Sequence, residues 1–190
     1  MKTLDLFSLK GEKGFITGAA RGIGKCLAEA FTEMGASIAI VDIDIEEAEK
    51  TAGEVADRYS AHTTAICCDV TDAEDVERMM ETFIKEYGTI DFAINNAGIA
   101  NTYPAEEISS KDFKKVVDIN LNGVFLTAQA AARQMIKEGK AGSIVNTASM
   151  SAHIINTPQT IANYCASKGG VLLLTKALAV EWAPYNIRVN

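Results

Sequence analysis

The stretch from Gly14 to Met34 constrains the fold most. A short apolar run, Gly14-Phe15-Ile16, leads into Thr17-Gly18-Ala19-Ala20-Arg21-Gly22-Ile23-Gly24 and then into a helical run from Lys25 to Met34. Strand, glycine turn and helix in that order form a phosphate cradle. The glycines allow a tight turn and close backbone approach to a pyrophosphate, and the free amides at the helix start attract its negative charge. The spacing, with three residues between Gly18 and Gly22 and one before Gly24, is wider than the G-x-G-x-x-G fingerprint. A second apolar run, Ala36 to Val41, ends at Asp42. A carboxylate placed there accepts hydrogen bonds from an adenosine ribose and repels a 2′-phosphate.

Further along, apolar runs alternate with amphipathic helical segments, and no linker or low-complexity stretch interrupts them. This rhythm predicts strands near 14–17, 36–41, 63–68, 90–94, 143–147 and 186–190, with helices near 23–34, 45–59, 72–87, 109–138 and 159–183. The expected fold is α/β, a Rossmann-like doubly wound parallel sheet flanked by helices on both faces. One domain over 1–190 accounts for the whole chain: 190 residues with 48% hydrophobic content suffice for one sizeable core. In the fourth helical segment Val117, Leu121, Val124, Phe125, Ala128, Ala132 and Met135 recur at helical spacing. The last helix carries Val171, Leu172, Leu174, Leu178, Ala179 and Trp182, more apolar surface than one core face needs, which points to a partner.

That last helix also holds Tyr164 and Lys168. Four residues apart on a helix, they share a face, so the lysine ammonium favours the phenolate form of the tyrosine electrostatically. A free phenol titrates near roughly 10, too high for efficient proton exchange at neutral pH, and the cation corrects this. With Ser149 upstream to hold a substrate oxygen, the set amounts to a proton-transfer device.

Taken together, these motifs resemble the short-chain dehydrogenase/reductase family from about Leu9 to Asn190. The resemblance rests on Thr17 to Gly24, Asp69-Val70, Asn95-Asn96-Ala97-Gly98, Ser149, and Tyr164 with Lys168, in that order. It implies that Tyr164 is the general acid/base, that Ser149 polarises the substrate oxygen, and that Lys168 also binds the nicotinamide ribose. It further implies that Asn120, in Asp118-Ile119-Asn120, anchors a water linking Lys168 to solvent. Asp69 and Val70 would meet the adenine, and Asn96, Ala97 and Gly98 would brace the cofactor side of the sheet. Family members pair the helices near 109–138 and 159–183 to make homodimers and homotetramers. They also continue past Arg188-Val189-Asn190 with a Pro-Gly turn, a substrate lid and a last strand, so a C-terminal portion of the fold is expected to be absent from this chain.

Asp42 and the uncharged Ile43 after it favour NAD over NADP, while Arg21 is a basic residue able to contact a phosphate. Substrate choice is expected from the segment after Ser149, where Ser151, His153, Asn156 and Gln159 supply donors and acceptors at the pocket mouth. That segment resembles polyol dehydrogenase and ketose reductase members of the family. A 3-oxoacyl-carrier-protein reductase or broad carbonyl reductase shares the same core motifs, and a non-catalytic dinucleotide-binding scaffold is the alternative of a different class.

A net charge of −7 disfavours nucleic acid and anionic membranes as partners. No apolar run reaches membrane-spanning length, and the start, Met1 to Phe7, lacks a signal-peptide core, so a cytoplasmic enzyme is expected. Cys26, Cys67, Cys68 and Cys165 have no zinc-binding spacing and are read as reduced core thiols, so no metal is expected.

Overall fold

The computed structural model describes residues 6–190, and the reading of Met1 to Phe7 as lacking a signal-peptide core lies outside them for its first five residues. Six strands form one parallel sheet: β1 (Lys13–Thr17), β2 (Ser37–Asp42), β3 (Thr63–Cys67), β4 (Phe92–Asn95), β5 (Gly142–Asn146) and β6 (Ile187–Val189). Their order across the sheet is β3-β2-β1-β4-β5-β6. Gly14 pairs with Ile38 on one side and with Phe92 on the other. The chain therefore winds outward from β1 in one direction, then returns and winds in the other. The crevice at the carboxyl ends of β1 and β4 is the point of reversal, where ligands of open α/β sheets bind.

Alternation along β1 divides the core in two. Phe15 faces a cluster with Val41, Met79, Phe83, Ala132, Met135 and Ile144, whereas Ile16 faces one with Ala28, Ile38, Ile40, Ala48 and Phe92. The first face is covered by α3 (Ala73–Tyr87), α5 (Gly123–Glu138) and α6 (Ala162–Trp182), the second by α1 (Gly22–Glu33) and α2 (Ile45–Tyr59). Burial on both faces is why the strands read as continuous apolar runs.

Two expectations need correction. The segment from 109 to 138 is helical throughout, as expected, but not uniformly α: a π turn at Asp118–Asn122 divides it into α4 (Ser110–Val117) and α5. A π turn inserts one residue without a change of composition, so the apolar spacing continues through it. The cysteines are not all core thiols either. All four are free, but Cys26 and Cys67 are exposed, Cys165 is partly buried and only Cys68 is buried. Cys67 is the last residue of β3, and its exposed thiol lies 3.8 Å from the Ile43 carbonyl. Among the described residues no helix is long and apolar enough to cross a membrane.

Candidate active site

Three helices begin with a side chain on their free amides: Asp44 caps α2, Asp72 caps α3 and Ser109 caps α4. The start of α1 has no side-chain cap. Its amides stay available at the glycine turn, where the helix dipole favours an anion. The turn leaves no room for side chains. A Cβ on Gly18, where φ is +64°, would lie 2.7 Å from Ala97 Cα, and one on Gly24 would lie 2.2 Å from the Gly18 carbonyl oxygen. Backbone packed this closely can approach a diphosphate without steric screening.

The loop after β4 fixes the turn from the other side. Asn96 Nδ2 donates to the carbonyls of Thr17 and Gly18, each at 3.2 Å. Thr17 Oγ1 accepts from the amides of Asn96 and Ala97 at 3.0 and 3.1 Å. Thr17, the first residue of the glycine motif, thus braces the turn, a role its place in the motif did not assign; its signal is a hydroxyl at the last position of an otherwise apolar strand. Beside this pair lies a cleft of about 460 Å³, lined by Gly18, Arg21, Ile23, Asp42, Ile43, Asp69, Val70, Asn96, Ala97, Gly98 and Ile99, among others. Gly22 and Gly24 lie at the start of α1 beside it. The cleft is thus built where the sequence motifs converge, and its uncapped helix start and Cβ-free cradle fit a dinucleotide.

Asp42 ends β2, and its Oδ2 accepts from the Ala20 amide at 3.1 Å. Asp69 Oδ1 accepts from the amide and hydroxyl of Thr71 at 2.9 and 2.7 Å, which shapes the turn after β3. Its own amide donates to Asp75, and that hydrogen bond holds the Asp75 carboxyl below the ordinary carboxylate range.

Ser149, Tyr164 and Lys168 are not among the residues lining the cleft. Thr147, just beyond β5, makes the connection: its carbonyl accepts from Lys168 Nζ at 2.5 Å and its hydroxyl lies 3.5 Å from Asn96 Oδ1. Lys168 is only 4% exposed, and burial pushes its ammonium below the ordinary lysine range. Its Nζ stands 5.9 Å from the centroid of the Tyr164 ring, so the pair does share a face of α6. The Tyr164 hydroxyl makes no hydrogen bond among the described residues. Ser149 is extended and caps a short 3-10 turn, Met150–Ala152, which packs against α6. Its Oγ accepts from the Ser151 amide at 3.1 Å, which leaves the hydroxyl proton free to be donated.

Asn120 lies in the π turn, fully buried. Its Oδ1 accepts from the Ile99 amide at 2.8 Å, while Nδ2 donates to the Ile99 carbonyl at 2.9 Å and to Ser167 Oγ at 3.2 Å. Both amide protons are thereby engaged in protein contacts. Asn163, which motif reading passed over, joins the loop after β4 to the start of α6: Nδ2 donates to Asn101 Oδ1 at 2.6 Å and Oδ1 accepts from the Tyr164 amide at 2.8 Å.

The expected pocket-mouth residues are dispersed. Ser151 is buried under the 3-10 turn rather than at a mouth. His153 is exposed, and Gln159 lines a separate cavity of about 230 Å³ with Tyr103, Ile155, Ile161 and Cys165. Among the described residues there is no group of three or more His, Cys, Asp or Glu side chains placed to hold a metal ion.

A family model for short chain dehydrogenases matches residues 13–190. The chain is 42% identical over 184 residues to a D-threitol dehydrogenase from Mycolicibacterium smegmatis, an alignment covering 97% of this chain and 69% of that protein. It is also 42% identical over 189 residues to a sorbose reductase from Candida albicans, covering 98% and 66%. A solved short-chain type dehydrogenase/reductase from Mycobacterium marinum superposes with a TM-score of 0.97 at 46% identity, covering 100% of this chain and 76% of that one. The chain spans about two thirds of the length of the curated relatives it matches. Relatives named as NAD-dependent and as NADP-dependent both occur.

Proposed function

The chain belongs to the short-chain dehydrogenase family, and from that premise we propose that it serves an oxidoreductase moving a hydride between NAD and a secondary alcohol or ketone, a sugar alcohol and ketose pair being its substrates. The observation that carries this reading is the buried Lys168, held by the Thr147 carbonyl beneath the Tyr164 ring. A desolvated cation is costly to bury without a task, and here it stands where it favours the tyrosinate.

A bound nicotinamide supplies the hydride acceptor or donor. In the direction of alcohol oxidation, Tyr164 Oη takes the hydroxyl proton as the carbon loses its hydride, and in reduction it returns that proton to the oxygen. Ser149 donates its free hydroxyl proton to the same oxygen and fixes its position. Lys168 keeps Tyr164 competent to take the proton. Gly18, Gly22, Ile23 and Gly24 hold the diphosphate, Asp42 the adenosine ribose, and Asp69 and Val70 the adenine. Asn96, Ala97 and Gly98 support the nicotinamide end, with Asn120 behind them.

The polyol assignment rests on the D-threitol and sorbose relatives. Ser149 and the exposed His153 are the substrate contacts we assign from this chain, with Gln159 in the neighbouring cavity and Ser151 acting from beneath. Leu173 and Val180 on α6, 66% and 76% exposed, and the exposed Phe125 and Ile136 on α5 are apolar side chains suited to burial in a homodimer or homotetramer.

Nicotinamide absorbance with a panel of polyols, simple secondary alcohols and a hydroxyacyl thioester tests the proposal. Reduction of NAD by polyols, abolished in Tyr164→Phe while cofactor binding persists, is expected. Preference for the thioester with NADP would replace the polyol reading with the carrier-protein or carbonyl reductase, and binding without turnover on any substrate would leave the scaffold.

A further inference from the structure

Arg21 is the single cation among the described residues lining the cleft, and it is not free. Its guanidinium pairs with Asp44 Oδ2. Three tethers hold Asp44 in place. Its amide donates to Asp42 Oδ1 at 3.2 Å, and its Oδ1 accepts from the Glu47 amide at 3.3 Å, capping α2. The third is Arg21 itself. Since Asp42 Oδ2 accepts from the amide of Ala20, the neighbour of Arg21, the contacts close into a ring joining the turn after β1 to the turn after β2.

This ring sits at the ribose end of the cleft. Asp42 by itself would repel a 2′-phosphate, but a guanidinium swinging over that position would offset the repulsion through two parallel hydrogen bonds. Asp44 holds the guanidinium away. Resting on the dinucleotide reading above, we propose that Asp44 determines cofactor specificity: by sequestering Arg21 it denies a ribose 2′-phosphate its cation and so enforces NAD over NADP. Asp42 then acts by direct repulsion and Asp44 through Arg21, so the second effect depends on Arg21 being present.

Both partners are well exposed, and exposed ion pairs are weak. The expected change is therefore modest, about twofold to fivefold in relative affinity. Asp44→Asn removes the charge yet keeps a residue suited to the cap of α2, so folding is retained. Calorimetric titration with NAD and with NADP, on the unaltered protein, Asp44→Asn, Arg21→Ala and the double variant, gives the ratio of the two dissociation constants without needing a substrate. The expected result is a ratio favouring NAD in the unaltered protein, narrowed in Asp44→Asn, with the narrowing lost when Arg21→Ala is added. An unmoved ratio in Asp44→Asn, or the same narrowing in the Arg21→Ala background, overturns the role of Asp44 while leaving the dinucleotide reading intact. Tighter binding of NADP by the unaltered protein overturns it too. Binding of neither dinucleotide by the unaltered protein removes the underlying reading itself.

Discussion

Asn120 meets Ile99 as one peptide group meets another, accepting from its amide at 2.8 Å and donating to its carbonyl at 2.9 Å. The side chain thereby splices the π turn to the loop after β4, where no strand or helix satisfies the backbone. Truncation in Asn120→Ala leaves two part-buried backbone groups of Ile99 without their partner, each costing less than the about 1–3 kcal/mol of a fully buried group. Urea unfolding should show a loss of about 1–2 kcal/mol, and Asn120→Asp, which lacks the donor, should lose stability as well. A midpoint equal to that of the unaltered protein for both variants would rule out the bracing role.

Lys168 sets a pH dependence. Burial lowers its pKa in the folded chain below 10.5, so between that lowered value and 10.5 the unfolded chain binds more protons than the folded one. Stability must therefore rise with pH across that window. Denaturation of the native protein and of Lys168→Met, compared at several pH values, isolates this contribution: the native protein should gain relative to the variant as pH increases. Turnover in Lys168→Met should fall by about 100-fold or more. Parallel pH profiles of stability would mean that the lysine is not desolvated.

Gly24 and Gly53 should respond in opposite directions to the same substitution. A Cβ on Gly24 meets the Gly18 carbonyl and Ala19 Cα, while one on Gly53, within α2, meets nothing within 4 Å. Gly24→Ala should therefore lose dinucleotide binding together with stability. Gly53→Ala should gain about 0.5–1 kcal/mol from helix propensity. Thermal unfolding of both, with and without NAD, checks the contrast.

The thiols divide by environment. Desolvation pushes the Cys68 thiol up to about 12, so it stays protonated at pH 8 and resists alkylation. Cys26 and Cys67 are exposed and should be modified first by iodoacetamide, as peptide mass mapping over a time course would show. Early modification of Cys68 would indicate opening of the cluster beneath β3.

The six strands, the glycine turn and the spacing of Tyr164 and Lys168 were legible because each is written in neighbouring residues: an apolar run, a glycine spacing, four positions on a helix. The π turn at Asp118–Asn122 was not, because an extra residue in a helix leaves no compositional trace. Nor was the tether from Lys168 to Thr147, whose acceptor is a main-chain carbonyl that any residue possesses. Ser151 and Gln159 were grouped by nearness in sequence to Ser149 and Tyr164, yet the 3-10 turn buries one and the approach to α6 carries the other to a different cavity. The ring of Ala20, Arg21, Asp42 and Asp44 joins two turns on opposite sides of α1, and only folding brings them together.

The position of β1 affects the birth of the molecule as well as its site. Among the described strands it is translated first, and it sits inside the finished sheet, with β2 on one edge and β4 on the other. At roughly 5–20 residues per second, β2 follows it within seconds, but Phe92, which pairs with Gly14, follows only after roughly 4–16 seconds. For that interval the nascent chain offers a half-sheet with one bare apolar edge, a template for pairing with a neighbouring chain. Synthesis speed between α2 and β4 therefore bears directly on yield, and a slow stretch of message there would favour aggregation over folding.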